Sequence, residues 1–507
     1  MKARHKPILL LIFLFLCSLS MACTVNISSV AIPTSIATLV KTVPPMATLQ
    51  MGTPASSLEA PIITSEPNEE TEPAPQPTLS PSPSATRSIP SSTPGTSSIN
   101  EDEGLASLQP VFFLNTGSSI IENQNFIAAG IDETCVYVNN GASLGLVNPR
   151  IQKSGPSSSA DNSLRYGLNS ASLVRAGSRL RLENPKLTTD APSAIGAFAL
   201  GQGAQLTIAG GTLDTTSASS PGVVVAAGAT AEISELQLST KGENSPGTVV
   251  GLGSGSLNIR GGKITTSGAN SPCYLSWGTV FADANTCAVS GAGIAEVDGT
   301  STIAFRNVNA TAFAPEYGIL LYRSGQNQTQ AGNSNFSAEG GNLGTLNNQA
   351  PLFLITNTQA QVTLKDVKTD IASGIFLSAI GDSEWGLAEA NGGVVSLTLV
   401  TVNLTGNIFA DRLSSISLNL SANSAMTGAI NQAGSARFVS LTMDATSSWT
   451  MTGTSYINRL IGIATSGNTV QGIIGNGFTL YYDPIQSPSL GGNTYSLSGG
   501  GSLTPAN

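Results

Sequence analysis

The sequence predicts an all-β solenoid, a parallel β-helix with capped ends, and three observations carry that prediction. The first is a phrase written four times: Leu180 and Leu182, Leu206 and Ile208, Ala231 and Ile233, Leu257 and Ile259, whose second members step by 26, 25 and 26 residues. Self-similarity at such a period marks a stacked repeat. The second is the local period, because apolar residues within each copy sit two apart with Gly, Thr, Ser and Asn between them, which is strand alternation and not a helical stripe. The third is composition: charged residues are 10% of the chain, too few for the amphipathic helices of a helical repeat. Stacked strands bring equivalent residues of successive rungs about 4.8 Å apart. The expected ladders are aliphatic inside (Leu182, Ile208, Ile233, Ile259) and hydroxylic at a corner (Thr189, Thr215, Thr240, Thr266), the hydroxyls hydrogen-bonded along the stack. Thr188, Asp214, Ser239 and Thr265 beside them are too irregular for a lattice-matching, ice-binding face.

The 507-residue chain opens with Lys2, Arg4, His5 and Lys6, an apolar run from Ile8 to Leu19 and the small-residue site Ser20-Met21-Ala22. This is the pattern of an export signal over 1–22. Cys23 follows at once, an arrangement that resembles bacterial lipoprotein signals, and the resemblance implies lipid attachment at Cys23. Residues 23–107 form a linker that is richest in Pro, Ser and Thr from Pro44 to Asn100. Such a stretch buries too little apolar surface to offset its ordering entropy, so a disordered stalk is expected. Loss of Lys2, Arg4 and Lys6 with the leader takes the net charge from −9 to −12. That acidity argues against nucleic acid as a partner, and leaves the N-terminal lipid as the only expected membrane contact.

The β-helix is expected over 108–507. Val111-Phe-Phe-Leu114 and Phe126-Ile-Ala-Ala129 begin it, and 131–176 are read as atypical first rungs that cap the open end. The regular rungs follow from 177 to about 270, and a second phrase recurs in register between them: Ala191-Pro-Ser193, Ser220-Pro-Gly222, Ser245-Pro-Gly247 and Ser271-Pro-Cys273. Residues 271–350 hold longer excursions. From Val395 the rungs shorten, with Val395-Ser-Leu-Thr-Leu399, Ile416-Ser-Leu-Asn-Leu420 and Val439-Ser-Leu-Thr-Met443 followed by Leu404, Met426 and Met451, each before Thr-Gly. The Gly-rich tail after Phe478 is expected to cover the last rung's strand edge.

On these features, residues 110–507 resemble the right-handed parallel β-helix surface proteins of bacteria, including pertactin-like adhesin passengers. The phrases Asn270-Ser-Pro-Cys273, Pro351-Leu-Phe-Leu-Ile-Thr-Asn-Thr358, Val439-Ser-Leu-Thr-Met443 and Tyr481-Tyr-Asp483 are similar to those of an uncharacterised β-helix family. The resemblance implies export and an adhesin-like role at the cell surface or in secreted form. A pertactin-type passenger is followed by a membrane barrel, a departure that leaves Cys23 as the expected anchor.

β-Helices also carry polysaccharide lyases and hydrolases, so the chemistry-bearing residues matter. The single histidine is His5, in the leader, which removes a Ser-His-Asp triad and His-based metal sites. Of the carboxylates (Asp283, Glu296, Asp298, Asp366, Asp370, Asp382, Glu384), only Glu296 and Asp298 are read as sharing one strand face, a spacing that glycoside hydrolysis permits. Arg306 and Arg323 lack the Asp cluster that a calcium-dependent lyase uses. No catalytic set, cofactor or metal is therefore expected. Tyr274, Trp277, Tyr317, Tyr322 and Trp385 are the candidate contacts for a polysaccharide or a host or neighbouring cell surface, because aromatic rings stack on sugars. Cys287 sits in a strand-like context, so a buried thiol is the first expectation, and a Cys273–Cys287 disulfide, which would suit an exported protein, is the other candidate. The reading is a non-catalytic adhesin-like or glycan-binding module; the alternatives are a polysaccharide lyase or glycoside hydrolase and a structural envelope protein.

Overall fold

The computed structural model describes residues 104–506 apart from 252, 314–315 and 326–331. The leader, Cys23 and the Pro-rich stretch lie outside the described residues. From Gln109 the chain winds as a parallel β-solenoid with three walls. The first sheet has 12 strands, from Gln109–Leu114 to Asn407–Ala410; the second has 14, from Ser118–Glu122 to Arg459–Ile461; the third has 10, from Asn125–Ala128 to Lys368–Ile371. One strand from each makes a rung. A nine-stranded sheet beginning at Asn403–Thr405 continues to the C-terminal end.

The aliphatic ladder stands in the expected register, with Leu182 beside Ile208, Ile208 beside Ile233 and Ile233 beside Ile259. All four are buried. The corner between the second and third sheets turns through positive φ, on a Gly pair such as Gly210 and Gly211 or on a single residue: Asn148, Asn184 and Asn307 lie at 49, 45 and 53°. Asn tolerates this left-handed region better than most residues, which accounts for its recurrence there. The Ser-Pro phrase has its own role at the corner leading back to the first sheet. The buried Ser245 hydroxyl accepts from Ser220 N at 2.9 Å and donates to Ser217 O at 3.0 Å, while Ser271 accepts from Ser245 N at 2.8 Å and donates to Gly242 O at 3.0 Å. These serines satisfy main-chain groups that the corner takes out of the sheets.

Three expectations need correction. The Thr ladder keeps its register but points inward and is buried. Thr215 donates to Ser220 O at 2.6 Å, whereas the hydroxyls of Thr189, Thr240 and Thr266 have no hydrogen-bond partner among the described residues. The interior side of the strand, not the corner, receives them. The next two rungs fill the same position with Val289 and Ala312, so an apolar side chain fits. Thr240→Val should therefore raise the unfolding free energy by about 1 kcal/mol, read from the denaturant midpoint, because a buried unpaired hydroxyl costs about 1–3 kcal/mol.

Second, Met426 pairs with Trp449 and not with Met451. The corner preserves its length: Met426 is six residues after Leu420, and Trp449 is six after Met443. Third, residues 131–176 do not cap the end, since Glu133–Val138, Ser143–Val147 and Arg150–Lys153 already form an ordinary rung. The irregular part is helix α1 (Ala160–Tyr166), capped by Ser159 and Gly167. Its Leu164 and Tyr166 pack on an apolar cluster that includes Leu173, Phe198 and Val224. These residues alternate with the core-facing residues of the first sheet, which is therefore covered outside as well as inside along this part of the coil.

Candidate functional site

The first sheet buries both of its faces in the middle of the coil too. Strand Ala295–Asp298 is buried at every position, and Glu296 and Asp298, two apart, share its outer side. Glu296 accepts from the Tyr317 hydroxyl at 2.8 Å and the Tyr322 hydroxyl at 3.5 Å. Asp298 accepts from Trp277 Nε1 at 2.8 Å and Ser324 N at 2.8 Å. Trp385 packs on Tyr322 with centroids 4.7 Å apart. Its loop is tied by the Asn391 amide, which donates to Trp385 O at 2.7 Å and to Asp382 O. Four of the five candidate aromatics thus gather around the acidic pair. The sequence marks the rings and the two carboxylates separately; the structure joins them.

The fifth ring lies elsewhere. Tyr274 points into the coil, donates to Asn285 Oδ1 at 2.6 Å and packs on Phe305. Tyr274 and Tyr322 are 0% exposed, Tyr317 5% and Trp385 9%, so as described these four rings serve packing. Trp277 alone of the five is half-buried. Cys273 and Cys287 are bonded to each other with Cα atoms 6.2 Å apart, linking the start of one rung to its third wall. Cys135 is buried and free, and burial pushes its thiol up to about 12.

The remaining carboxylates do not converge. Asp283 pairs with Arg306, and Glu339 with Lys365 at 2.6 Å. With Arg260 these form a surface ladder of alternating sign, in register along the second sheet. Exposed pairs of this kind contribute little, because solvent screens them. Among the described residues no three His, Cys, Asp or Glu side chains gather as a metal site.

Burial is the main cause that holds the Asp298 carboxyl above its usual range, opposed by the Ser324 and Trp277 donors and reinforced by Glu296. A carboxyl raised in the folded state contributes stability that is full below the ordinary carboxylate range and is lost as pH rises through the raised value. The thermal midpoint should therefore rise as pH falls from 8 toward 4. Asp298→Asn should flatten that slope, measured by circular dichroism melts across the interval.

Trp277 also faces outward. Two residues, Trp277 and Gly278, turn the corner between the first and second sheets, where 251–255 and 299–301 turn it on the neighbouring rungs. The short corner is recessed between the longer ones. A side chain at Gly278 would come within 2.6 Å of Val250 and 2.7 Å of Gly255 O, so only glycine fits there. The recess is an open groove of about 360 Å³ lined by Trp277, by glycines and by hydroxyl residues that include Thr230, Ser256, Thr279 and Thr302. Those four hydroxyl residues are in register on the second sheet, about 4.8 Å apart. The hydrogen bond to Asp298 and packing against the apolar cluster outside the first sheet fix the Trp277 indole, which stays half-buried beside the groove. Sequence reasoning missed this hydroxyl row; the signal was there in the residue just before each inward apolar one: Thr230 before Ala231, Ser256 before Leu257, Thr279 before Val280 and Thr302 before Ile303. No family model, curated protein or solved structure matches this chain.

Proposed function

We propose that this protein is an exported β-helix module, tethered at the cell surface or secreted, that binds glycans without transforming them. One observation carries the reading: a fixed indole stands beside a straight row of hydroxyl side chains in an open groove. Sugars offer an apolar ring face and a rim of hydroxyls, and an aromatic wall with neighbouring hydroxyls and backbone groups matches both. The groove-lining side chains do not titrate near neutral pH. Glu296 and Asp298, the one carboxylate pair on a shared face, are buried and occupied with tyrosine, indole and backbone donors. Rigidity supports the same role, because stacked main-chain ladders hold the groove in shape before a ligand arrives. The leader and Cys23 fit attachment of this module to an outer surface.

The test is a glycan array with the full chain, with soluble products assayed from the same polysaccharides. Binding without product is the expected outcome. Release of reducing or unsaturated ends would replace this reading with a hydrolase or lyase. Trp277→Ala should weaken binding at least tenfold, about 1.4 kcal/mol, while Trp277→Phe keeps a ring and should lose less.

A further inference from the structure

The two ends of the coil are built differently. At the C-terminal end, Tyr495–Ser498 pairs antiparallel with Ser502–Pro505. The first of these strands also pairs with Thr469–Ile474 and the second with Thr479–Tyr482. This hairpin joins two walls, and at the last strand of the second sheet, Arg459–Ile461, Leu460 N donates to Ser487 Oγ at 3.1 Å. At the other end, Gln109–Leu114, Ser118–Glu122 and Asn125–Ala128 each have one strand neighbour among the described residues. Among their outward side chains Gln109, Ser118, Glu122 and Asn125 are polar, but large apolar ones are exposed too: Val111 49%, Phe113 46%, Ile120 75% and Ile127 60%, with Ile131 at the rim 61%. Their inward residues Phe112, Leu114 and Ile121 are only partly buried. Each of the three strands thus places a large apolar side chain on its outward face as well as on its inward one, an exposure that covering would relieve.

We propose that this first rung is the docking surface for a second copy of the same chain, joined end to end about a two-fold axis across the coil. Three strand edges are offered at once, set at the angles of the three walls. A single extended peptide pairs with one of them, whereas another rung offers three in the same arrangement. The closing hairpin removes the C-terminal end as that partner, so the partner is a second first rung, its strands antiparallel across the junction. Charge favours the same place. The chain carries −9 overall, yet from Gln109 to Ile131 the only charged residue is Glu122, so two acidic copies repel least there. Gln109 N donates to Asp132 O and Leu114 O accepts from Asn139 N, so both ends of the first strand already bond to the next rung, and Pro110 has no donor. The second and third sheets therefore carry most of the new pairing. Because the contact is isologous, it closes as a dimer and does not extend into a fibre.

Sedimentation of the full chain carrying Cys23→Ser, which prevents linkage through Cys23 and leaves the Cys273–Cys287 disulfide intact, tests the proposal. A dimer at micromolar concentration is expected, with a dissociation constant that rises at least tenfold in Ile120→Lys and Ile127→Lys. Both positions are exposed, so circular dichroism should show the fold unchanged. Ile461→Lys, at an exposed position away from the first rung, should leave the dimer intact. A monomer, a polymer series, or a dimer indifferent to lysine at 120 and 127 would overturn the proposal.

Discussion

Phe353→Ala is expected to lower the unfolding free energy by about 3–5 kcal/mol. Inside the coil, rings stack from rung to rung: Tyr274 on Phe305 at 5.0 Å, Phe305 on Phe336 at 5.2 Å, Phe336 on Phe353 at 5.5 Å and Phe353 on Phe376 at 5.4 Å. Phe353 is fully buried and meets both neighbours edge to face, the arrangement aromatic quadrupoles favour. Truncation removes two ring contacts and leaves a void. The rungs cannot close it, because main-chain hydrogen bonds set their separation. Each rung of a solenoid leans on its neighbours, so the damage should appear first as faster hydrogen exchange in Ile319–Tyr322 and Ile375–Ala379, the strands on either side in the first sheet. A denaturant series showing a loss under about 1 kcal/mol would mean that the stack relaxes around the gap.

Gly268→Ala should be at least as disruptive to assembly of the coil, costing about 3 kcal/mol or more. A Cβ there would lie 1.7 Å from Gly242 O; the equivalent atom at Gly242 would lie 1.9 Å from Ser217 O, and that at Gly291 2.2 Å from Gly268 O. Each obstacle is the backbone of the preceding rung, which cannot swing aside as a side chain can. Making room means parting the rungs where Asn244 N bonds Ala269 O at 2.8 Å and Ser245 N bonds Ser271 Oγ at 2.8 Å. Gly145→Ala is the matched comparison, since its Cβ would meet Ile120 Cγ1 at 3.4 Å, an ordinary contact. Yield of folded protein and the denaturant midpoint should both fall for Gly268→Ala and stay near wild type for Gly145→Ala.

The register of the coil is legible in the residues because its cause is local. Leu182, Ile208, Ile233 and Ile259 alternate with polar neighbours, and alternation alone decides which side of a strand faces inward. The Ser-Pro phrase announces a repeated corner, although its role as a relay of main-chain hydrogen bonds depends on the next rung and is not visible in one copy. The candidate site is less legible. Alternation puts Glu296 and Asp298 on one side of a strand, but nothing local tells that this side is roofed by Tyr317, Tyr322 and Trp385, which come from later in the chain. Without the roof, the same rings read as exposed sugar platforms. The Trp277 groove arises from a difference in corner length between adjacent rungs, a comparison of three copies and not a motif. Trp449 in place of Met451 teaches the same point: likeness of a tripeptide does not by itself set which residues pair.

The most direct test of the account is calorimetric titration of an array-positive glycan into the full chain, alongside Trp277→Ala, Trp277→Phe and Thr265→Ala, the last on the third sheet away from the groove. The account predicts at least a tenfold weaker dissociation constant for Trp277→Ala, a smaller loss for Trp277→Phe and none for Thr265→Ala. Wild-type affinity in a folded Trp277→Ala protein would contradict it and place glycan recognition somewhere other than this groove.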